Sequence, residues 1–376
     1  MHYREVGKTG EKVSALGFGT MRLPVIDGKD DQINEPLAIE MIRKAIDAGV
    51  NYVDTAWFYH SGTSESLCGK ALAEGYRDKV FLADKLPPWL AESTDDCERI
   101  LNTQLERCRT DHFDFYLLHC ILEKNWPNVE KLKLEKWLEK VQADGRVRHL
   151  GFSFHDNPEL FRHVVDYYDW SFCQIQYNYL NEKHQAGTEG YEYAVSKGLG
   201  VIVMEPLLGG ALANPQGVIR EMWDEAGYEP VDLALRWLWD KPGVGCILSG
   251  MTDMAQVEQN LALAENSQPG CLSDDERAFI AKVAQKTQEM TPIPCTRCGY
   301  CMPCPNGVNI PTNFAAYNMN YQYPENAAHR TLHSMQSPEQ QASNCIQCGV
   351  CEEKCPQGIP IGEWMQKLAN DPGFNS

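Results

Sequence analysis

The stretch EPLAIEMIRKAIDAGVNYVDTA, residues 35–56, contains one helical and one extended pattern in direct succession. In its first part the apolar residues recur at three- and four-residue steps, which is typical of an amphipathic helix. In NYVDTA, which begins at Asn51, aromatic and β-branched residues predict a strand. A helix that leads directly into a strand is the repeating unit of a parallel α/β fold.

The same alternation extends from residue 1 to about residue 285. Further helical patterns are STDDCERILNTQLERC and PVDLALRWLWDK, and residues 207–230 are expected to form a long loop with an extra turn. Eight strands alternating with helices predict a (β/α)8 TIM barrel. The predicted strands are VSALGFGT from Val13, NYVDTA from Asn51, VFLADK from Val80, FDFYLLH from Phe113, VRHLGFS from Val147, FCQIQY from Phe172, GVIVMEP from Gly200 and GCILSG from Gly245.

Length and charge limit the classes of protein. A chain of 376 residues suits one large barrel plus a small appendage. The formal net charge of −18 argues against a surface for nucleic acid or for an anionic membrane. The first residues, MHYREVGKTGEKV, contain no apolar signal region, and no stretch approaches eighteen uninterrupted apolar residues. We therefore expect a cytoplasmic protein.

Eight of the fifteen cysteines form two tight groups. The first cassette is Cys295, Cys298, Cys301 and Cys304, and the second cassette is Cys345, Cys348, Cys351 and Cys355. Without a signal peptide, such groups indicate metal binding rather than disulfides. The remaining seven are scattered singly and are expected to be small buried side chains: Cys68, Cys97, Cys108, Cys120, Cys173, Cys246 and Cys271.

The second cassette has the spacing of bacterial ferredoxins, in which three close thiolates bind one cubane and the cysteine before proline reaches the other cluster. The first cassette is one residue shorter before its last cysteine. In the crossed pattern, Cys295, Cys298, Cys301 and Cys355 bind one [4Fe–4S] cluster, and Cys345, Cys348, Cys351 and Cys304 bind the other. Zinc is the alternative, because thiolates also suit tetrahedral Zn²⁺.

The cassettes define a second domain. The alternation stops near Ala284, and the segment KTQEMTPIP is expected to be a linker. We therefore predict a barrel over residues 1–285 and a small α-rich, ferredoxin-like domain over residues 286–376. Helices are also expected between the two cassettes.

Four candidate catalytic residues follow from the rule that barrel enzymes carry them at the carboxyl ends of strands. Asp54 ends the second predicted strand with Tyr59 shortly after it, Lys85 ends the third and His119 ends the fourth. A tyrosine that donates a proton at neutral pH needs a cationic neighbour to stabilise its phenolate. Lys85 supplies that cation, Asp54 holds it in place, and His119 orients or polarises a carbonyl oxygen.

Seven stretches of the barrel portion carry a family resemblance: LGFGTMRLP, NYVDTAWFYHSGTSESLCGKAL, DKL, DFYLLH, GRVRHLGFS, QIQYNYL and SGMTDMAQVEQNL. Through them the sequence resembles the aldo-keto reductase family along the whole barrel portion. It implies a TIM-barrel oxidoreductase that binds NAD(P)H in an extended pose without a Rossmann domain. It also implies that Tyr59 donates the proton to the carbonyl, supported by Asp54, Lys85 and His119, while the nicotinamide delivers hydride.

The resemblance also implies a dinucleotide site. The cofactor-binding residues that it implies are Gly19, Thr20, Asp54, Ser153, Gln174, Met204, Glu205, Leu207, Ser249, Gly250, Gln256 and Asn260. Near Ser249 and Gly250, a helix start offers free backbone N–H groups to a phosphate. Phe154 stands where the family usually has Asn, and Met204 stands where an aromatic residue usually stacks. With no Lys or Arg between Leu248 and Asn260 to meet a 2′-phosphate, NADP and NAD are both possible cofactors.

The tail raises a question of electron transfer, because a hydride carries two electrons and each cluster moves one. No G-x-G-x-x-G flavin fingerprint occurs in the chain, although a barrel could hold a flavin without one. Three hypotheses follow. In the first, the chain is a carbonyl reductase whose clusters are structural or take electrons from a redox partner protein. In the second, it is an electron-transfer or redox-sensing module that uses the barrel for docking. In the third, its clusters relay electrons between a bound flavin and a partner. In the first and third, the substrate is a small carbonyl compound or alcohol.

Overall fold

The structure is a computed structural model that describes residues 1–322 and 336–372. Eight parallel strands, β3 to β10 in the list below, close into a barrel, so the predicted TIM-barrel fold is confirmed. Each of the eight predicted segments overlaps one of these strands. The strands are β1 (Tyr3–Glu5), β2 (Lys12–Ser14), β3 (Leu16–Gly19), β4 (Tyr52–Asp54), β5 (Phe81–Leu86), β6 (Phe113–Ile121), β7 (Val147–Phe154), β8 (Phe172–Gln176), β9 (Gly200–Met204) and β10 (Val244–Gly250).

The helices follow the strands as the apolar periodicity predicts. The α-helices are α1 (Glu35–Asp47), α2 (Ser64–Ala71), α3 (Thr94–Cys108), α4 (Trp126–Leu132), α5 (Leu134–Ala143), α6 (Pro158–Tyr167), α7 (Gly187–Ser196), α8 (Gly217–Ala226), α9 (Pro230–Trp239), α10 (Met254–Leu263), α11 (Asp274–Glu289), α12 (Ile310–Gln322) and α13 (Ile361–Asn370). Short 3₁₀ helices include Thr20–Arg22, Tyr59–Gly62 and Leu208–Gly210.

The strand register aligns the carboxyl ends on which the candidate site depends. Gly19 at the end of β3 pairs with Asp54 on β4 and with Gly250 on β10. Ser153 on β7 pairs with Gln174 on β8. Because parallel strands end at the same rim of a barrel, these side chains share one face of the first compact unit described below.

Three local features differ from the sequence predictions. An antiparallel hairpin of β1 and β2, which was not predicted, precedes the barrel. The segment 207–230 contains the ten-residue helix α8, which is more than an extra turn. The start of the expected linker is helical, because α11 begins at a capping box of Ser273 and Glu276 and continues to Glu289 before Pro292 stops it.

The chain forms two compact units. The first comprises Met1–Pro206 and Leu235–Leu272, and the second comprises Leu207–Ala234 and Ser273–Ser376. The second unit has an apolar core in which Phe314, Tyr317 and Met365 are buried, and cysteines of both cassettes pack against it. The domain boundary between residues 285 and 286 stays a prediction. In the two described ranges, no helix is long and apolar enough to cross a membrane.

Aromatic rings fill the barrel near its amino-terminal end. The ring centroid of Phe115 lies 5.1 Å from that of Tyr52 and 5.0 Å from that of Phe172. All three side chains are fully buried. The barrel interior at this level is therefore a packed core, and it supports the strand ends that carry the candidate site.

Arg4 on the hairpin ties the amino-terminal side of this unit together. Its guanidinium donates hydrogen bonds to the carbonyl oxygens of Lys241 at 3.2 Å, Val244 at 2.9 Å and Trp239 at 2.5 Å, and to that of Ser267. Burial lowers the pKa of Arg4 from its ordinary value. One side chain thus satisfies four backbone acceptors.

We expect Arg4→Leu to lower the free energy of unfolding by about 3 kcal/mol or more, because buried carbonyl oxygens lose their donor. Urea unfolding followed by circular dichroism measures the change. Arg162→Leu is the matched control, since Arg162 pairs with Glu189 on the surface and its loss should change stability by less than about 1 kcal/mol. Equal effects of the two substitutions would contradict this role of Arg4.

Candidate active site

The four predicted catalytic side chains lie together at the carboxyl ends of β4, β5 and β6. The Lys85 Nζ atom donates to Asp54 Oδ2 at 2.8 Å, to the Thr55 carbonyl oxygen at 2.7 Å and to Tyr59 Oη at 3.2 Å. The ring of His119 meets the ring of Tyr59 edge-on, with centroids 6.3 Å apart. Lys85 is fully buried, and the other three are more than nine-tenths buried.

A tight turn after β4 positions the phenol. Tyr59 begins the 3₁₀ helix Tyr59–Gly62, in which His60 and Ser61 have φ values of 50° and 54°. His60 is buried, and its Nε2 accepts a hydrogen bond from the Leu23 backbone N–H at 3.0 Å. Its Nδ1 therefore carries the proton and donates to the Asp30 carbonyl oxygen at 2.9 Å. The sequence analysis did not identify His60 as this anchor.

Burial sets the protonation states of the group. Burial raises the pKa of Tyr59 well above its ordinary value, and the Asp54 charge raises it further. The pKa of His119 is held well below its ordinary range by burial and then by the Lys85 charge. Burial also raises the pKa of Asp54, against the opposing charge of Lys85. Tyr59 is thus protonated and His119 is neutral at pH 7.

The residues predicted to bind the dinucleotide follow the rim from β7 round to β3. Ser153 Oγ accepts a hydrogen bond from the Cys120 backbone N–H at 2.7 Å. Gln174 Nε2 contacts Met204 Sδ at 3.5 Å, while its buried Oε1 receives no hydrogen bond from any described residue. Thr20 Oγ1 donates to the Asp54 carbonyl oxygen at 2.9 Å, so its hydroxyl proton is already used by the fold. Gln174 therefore has an oxygen left for a ligand.

The end of β10 and the start of α10 carry the next part of the predicted site. Asn260 Nδ2 donates to Ser249 Oγ at 3.0 Å. The side chain of Gln256 bonds the Thr252 backbone N–H at 2.9 Å and Asp253 Oδ2 at 2.9 Å. The start of α10 is thus capped by Asp253, and the side chain of Gln256 is already hydrogen-bonded within the protein. Of the remaining predicted residues, Gly19 and Gly250 end paired strands, Glu205 follows β9, and Leu207 belongs to the second compact unit.

Arg22 is a candidate ligand that the sequence analysis missed. Its Nη2 atom is buried and has no hydrogen-bond acceptor among the residues that the structure describes. Its aliphatic stem lies against Gly250, where an added Cβ would come within 3.1 Å of Arg22 Cβ. A buried guanidinium nitrogen without an acceptor suits an anionic ligand. The one sequence signal for it is its place directly after the Gly19-Thr20 rim segment.

Aromatic side chains stand at the mouth of the site. Phe58 and Trp89 stack with centroids 5.9 Å apart, and Trp89 lies 5.5 Å from His119. Both are about two-fifths exposed, at 41% and 40%. Burial lowers the pKa of His155 to about 4, so its imidazole is also neutral at pH 7. Phe58 and Trp89 thus form an apolar part of the mouth, with two neutral imidazoles and a protonated phenol beneath it.

Cysteines of the two cassettes lie near one another in the structure. One hollow is lined by Cys304 of the first cassette with Cys345, Cys348 and Cys351 of the second. Cys355 of the second cassette lies near Cys295 and Cys301 of the first. Burial raises the pKa of these two thiols, and the charges of Cys298 and Cys355 raise it further. In the described ranges, no three Cys, His, Asp or Glu side chains are placed to hold a single metal ion. Six of the scattered cysteines are buried and Cys271 is half-buried.

A closed parallel barrel with a Tyr–Lys–Asp–His group at its carboxyl rim defines the class of protein as a (β/α)8 barrel enzyme. The sequence model of the Aldo/keto reductase family matches residues 15–283. The chain belongs to this family and is an oxidoreductase. A second family model, the 4Fe-4S dicluster domain, matches residues 294–359, which contain both cassettes.

Individual relatives match the barrel portion. L-galactose dehydrogenase of Arabidopsis thaliana is 25% identical over 313 residues, which cover 77% of this chain and 96% of the relative. Methylglyoxal reductase YeaE of Escherichia coli is 28% identical over 284 residues, which cover 71% of this chain and 90% of the relative. The holo form of the aldo-keto reductase AKR11C1 from Bacillus halodurans aligns with a TM-score of 0.63 at 25% identity, over 75% of this chain and 96% of its own. An aldo-keto reductase from Klebsiella pneumoniae in complex with NADPH aligns with a TM-score of 0.60 at 25% identity, over 76% of this chain and 96% of its own.

Proposed function

We propose that this oxidoreductase reduces a small aldehyde or ketone to an alcohol, or catalyses the reverse reaction, with Tyr59 as the proton donor. The observation that carries the proposal is the 3.2 Å contact between Lys85 Nζ and Tyr59 Oη in a buried site. A bound nicotinamide supplies hydride to the carbonyl carbon. Tyr59 gives its proton to the carbonyl oxygen, so the products are an alcohol and the oxidised dinucleotide.

Each side chain has one task in this reaction. Protonated Tyr59 can donate, and the Lys85 ammonium stabilises the phenolate that remains. Asp54 keeps that ammonium charged and fixed, because a buried cation without a counter-ion is costly. Neutral His119 can direct the carbonyl oxygen toward Tyr59 by hydrogen bonding. An electron-transfer or redox-sensing module that used the barrel only for docking would not need this group.

We expect Tyr59→Phe to lower kcat for aldehyde reduction by about 10²- to 10⁴-fold, because the proton donor is removed while the ring stays. Consumption of the reduced dinucleotide measures the rate. Tyr76→Phe is the control, since the Tyr76 hydroxyl bonds Asp47 at the surface.

The pH dependence supplies a second readout of the same substitution. Reduction requires protonated Tyr59 and is lost only as pH rises through its raised pKa. The reduction rate of the native enzyme should therefore show no loss from tyrosine ionisation below about pH 9. A Tyr59→Phe enzyme that turns over every tested carbonyl at the native rate would overturn the proposal.

We propose NADPH or NADH as the cofactor, held along the rim by Gln174, Ser249, Gly250, Asn260 and Arg22. The similarity to a reductase solved with NADPH supports the dinucleotide. The buried Arg22 Nη2 and Gln174 Oε1, which lack partners among the described residues, supply a donor for a phosphate and an acceptor for a carboxamide. Asp253 and Gln256 at the start of α10 do not favour a 2′-phosphate there, which keeps NADH possible.

We expect Arg22→Leu to weaken dinucleotide binding by about 10- to 100-fold, because a charge-assisted hydrogen bond to a phosphate is lost. Quenching of tryptophan fluorescence by NADPH and by NADH measures both dissociation constants. Arg99→Leu, which removes an exposed arginine paired with Asp96, is the control. Equal losses of affinity for the two dinucleotides would assign Arg22 to the pyrophosphate. A loss of affinity for NADPH alone would assign it to the 2′-phosphate. Unchanged affinity for both would contradict a role of Arg22 in binding.

We propose that residues 286–376 form a domain with two [4Fe–4S] clusters in the crossed pattern. Cys295, Cys298, Cys301 and Cys355 hold one cluster, and Cys345, Cys348, Cys351 and Cys304 hold the other. The ferredoxin spacing, the match to a dicluster domain and the two thiol groupings support this assignment over zinc. The clusters are structural or take electrons from a redox partner protein. A reducing cytoplasm fits such thiolate-bound clusters.

Cys298→Ala should reduce the iron content of anaerobically purified protein from about eight atoms per chain toward about four, since each cubane needs its thiolates. Iron and sulfide analysis with electron paramagnetic resonance of the reduced protein measures the loss. Cys97→Ala is the control, because Cys97 is buried in α3 in the barrel unit. Two complete clusters in the Cys298→Ala protein would overturn the ligand assignment.

A further inference from the structure

A second buried carboxyl group lies directly beside the catalytic lysine in sequence. Asp84 precedes Lys85 on β5, so its side chain points to the opposite face of the strand, away from the barrel interior. It is fully buried, and its Oδ1 accepts a hydrogen bond from the Lys85 backbone N–H at 2.8 Å. Its Oδ2 receives no hydrogen bond from any donor in the described chain. Its carboxyl group is within hydrogen-bonding reach of the Glu65 carboxyl group.

Glu65 on α2 is also fully buried, and two donors from α3 hold it in place. Gln104 Nε2 donates to Glu65 Oε1 at 3.1 Å, and Arg107 Nη1 donates to Glu65 Oε2 at 2.7 Å. Gln104 also donates to the Lys85 carbonyl oxygen at 2.9 Å and accepts from the Tyr116 hydroxyl at 2.6 Å. The backbone of Lys85 is therefore held on both its N–H and its C=O by this carboxyl network.

Two buried carboxylates in contact cannot both be ionised without a large cost. The surrounding charges decide where the proton lies. Lys85 and Arg107 are the cations, and Asp54 and Glu65 balance them one for one when Asp84 is neutral. An ionised Asp84 would add an uncompensated negative charge to a dry interior.

The local fields agree with this placement. The pKa of Asp84 lies well above its ordinary value because of burial and then the Glu65 charge. Burial raises the pKa of Glu65 less, because Arg107 and Gln104 stabilise its ionised form. The titratable or charged groups that face the pair are Cys68 on α2, Asp54 on β4, Tyr59 after β4, Lys85 on β5, Arg107 and Cys108 on α3 and Tyr116 on β6.

We propose that Asp84 is a protonated acid in the working enzyme, that it donates its proton to Glu65, and that the pair positions Lys85 for Tyr59. Asp84 is a positioning residue, since it acts through the backbone of Lys85 and through the charge balance around it. An ionised Asp84 would raise the pKa of Tyr59 further, and its charge would also act on Lys85. Neutral Asp84 leaves Asp54 as the sole counter-ion of Lys85 among these groups.

The protonation claim is tested by infrared difference spectroscopy on the full-length, cluster-loaded protein at neutral pH. Native minus Asp84→Asn should show the carbonyl band of a protonated carboxylic acid, which moves on exchange into D₂O. Asp114→Asn is the matched control, because Asp114 is equally buried but pairs with two arginines, Arg77 at 2.9 Å and Arg148 at 2.8 Å. Its difference spectrum should show a lost carboxylate instead. A carboxylate signature for Asp84→Asn would overturn the proposal.

The positioning claim rests on the proposed function and is tested by comparing two substitutions at one site. Asp84→Leu removes the donor to Glu65 and should lower kcat by about 10- to 100-fold with little change in dinucleotide dissociation. Asp84→Asn keeps a neutral donor of the same shape and should restore most of kcat. Equal kcat for the leucine and native proteins, or no rescue by asparagine, would overturn the positioning role. The infrared experiment needs no substrate. It therefore tests the protonation of Asp84 independently of the Tyr59→Phe experiment, which tests the proposed function.

Discussion

The buried ammonium of Lys85 is the constraint on which the rest of the site depends. A fully buried cation loses its hydration, and its desolvation costs several kcal/mol unless protein groups replace the water. Asp54, the Thr55 carbonyl and Tyr59 supply three acceptors at 2.7–3.2 Å. These acceptors come from β4 and the turn after it, while Lys85 comes from β5. Closure of the barrel in this register is therefore what makes a charged lysine tolerable inside it.

The Lys85 ammonium also connects the fold to the protonation of Tyr59. The phenolate of Tyr59 is unfavourable in a dry pocket, in line with its raised pKa, so the proton stays on the oxygen until the proposed reaction removes it. A lysine held at 3.2 Å is then most useful at the moment when negative charge develops. This is differential stabilisation, because the neutral phenol gains less from the ammonium than the phenolate does. The carboxyl pair of Asp84 and Glu65 extends this charge balance to the helices outside the barrel.

Much of this architecture could be predicted from sequence, for physical reasons. Strand and helix periods are local, so all eight barrel strands were located, and the rule that parallel strands end at one rim brought Asp54, Lys85 and His119 together. Arg22 was missed because its importance depends on Gly250, which is over two hundred residues away. Asp84 was missed because a lone Asp before a lysine carries no signal until α2 and α3 place Glu65 and Arg107 against it. Helix α8 was underestimated because its apolar residues Ile219 and Trp223 lie among Gly, Pro and charged residues.

The barrel chemistry also limits what the clusters can contribute. In the proposed reaction Tyr59, Lys85 and Asp54 move a proton and stabilise an anion, which suits heterolytic transfer of a hydride. A cubane exchanges single electrons, and single-electron reduction of a carbonyl would generate a radical anion that a proton donor alone does not complete. Electrons from the clusters would therefore reach the proposed reaction only through a carrier that accepts one electron at a time and releases two, such as a flavin. Without such a carrier, the dicluster segment would serve a partner or the fold, and the proposed carbonyl reduction would proceed on the dinucleotide alone.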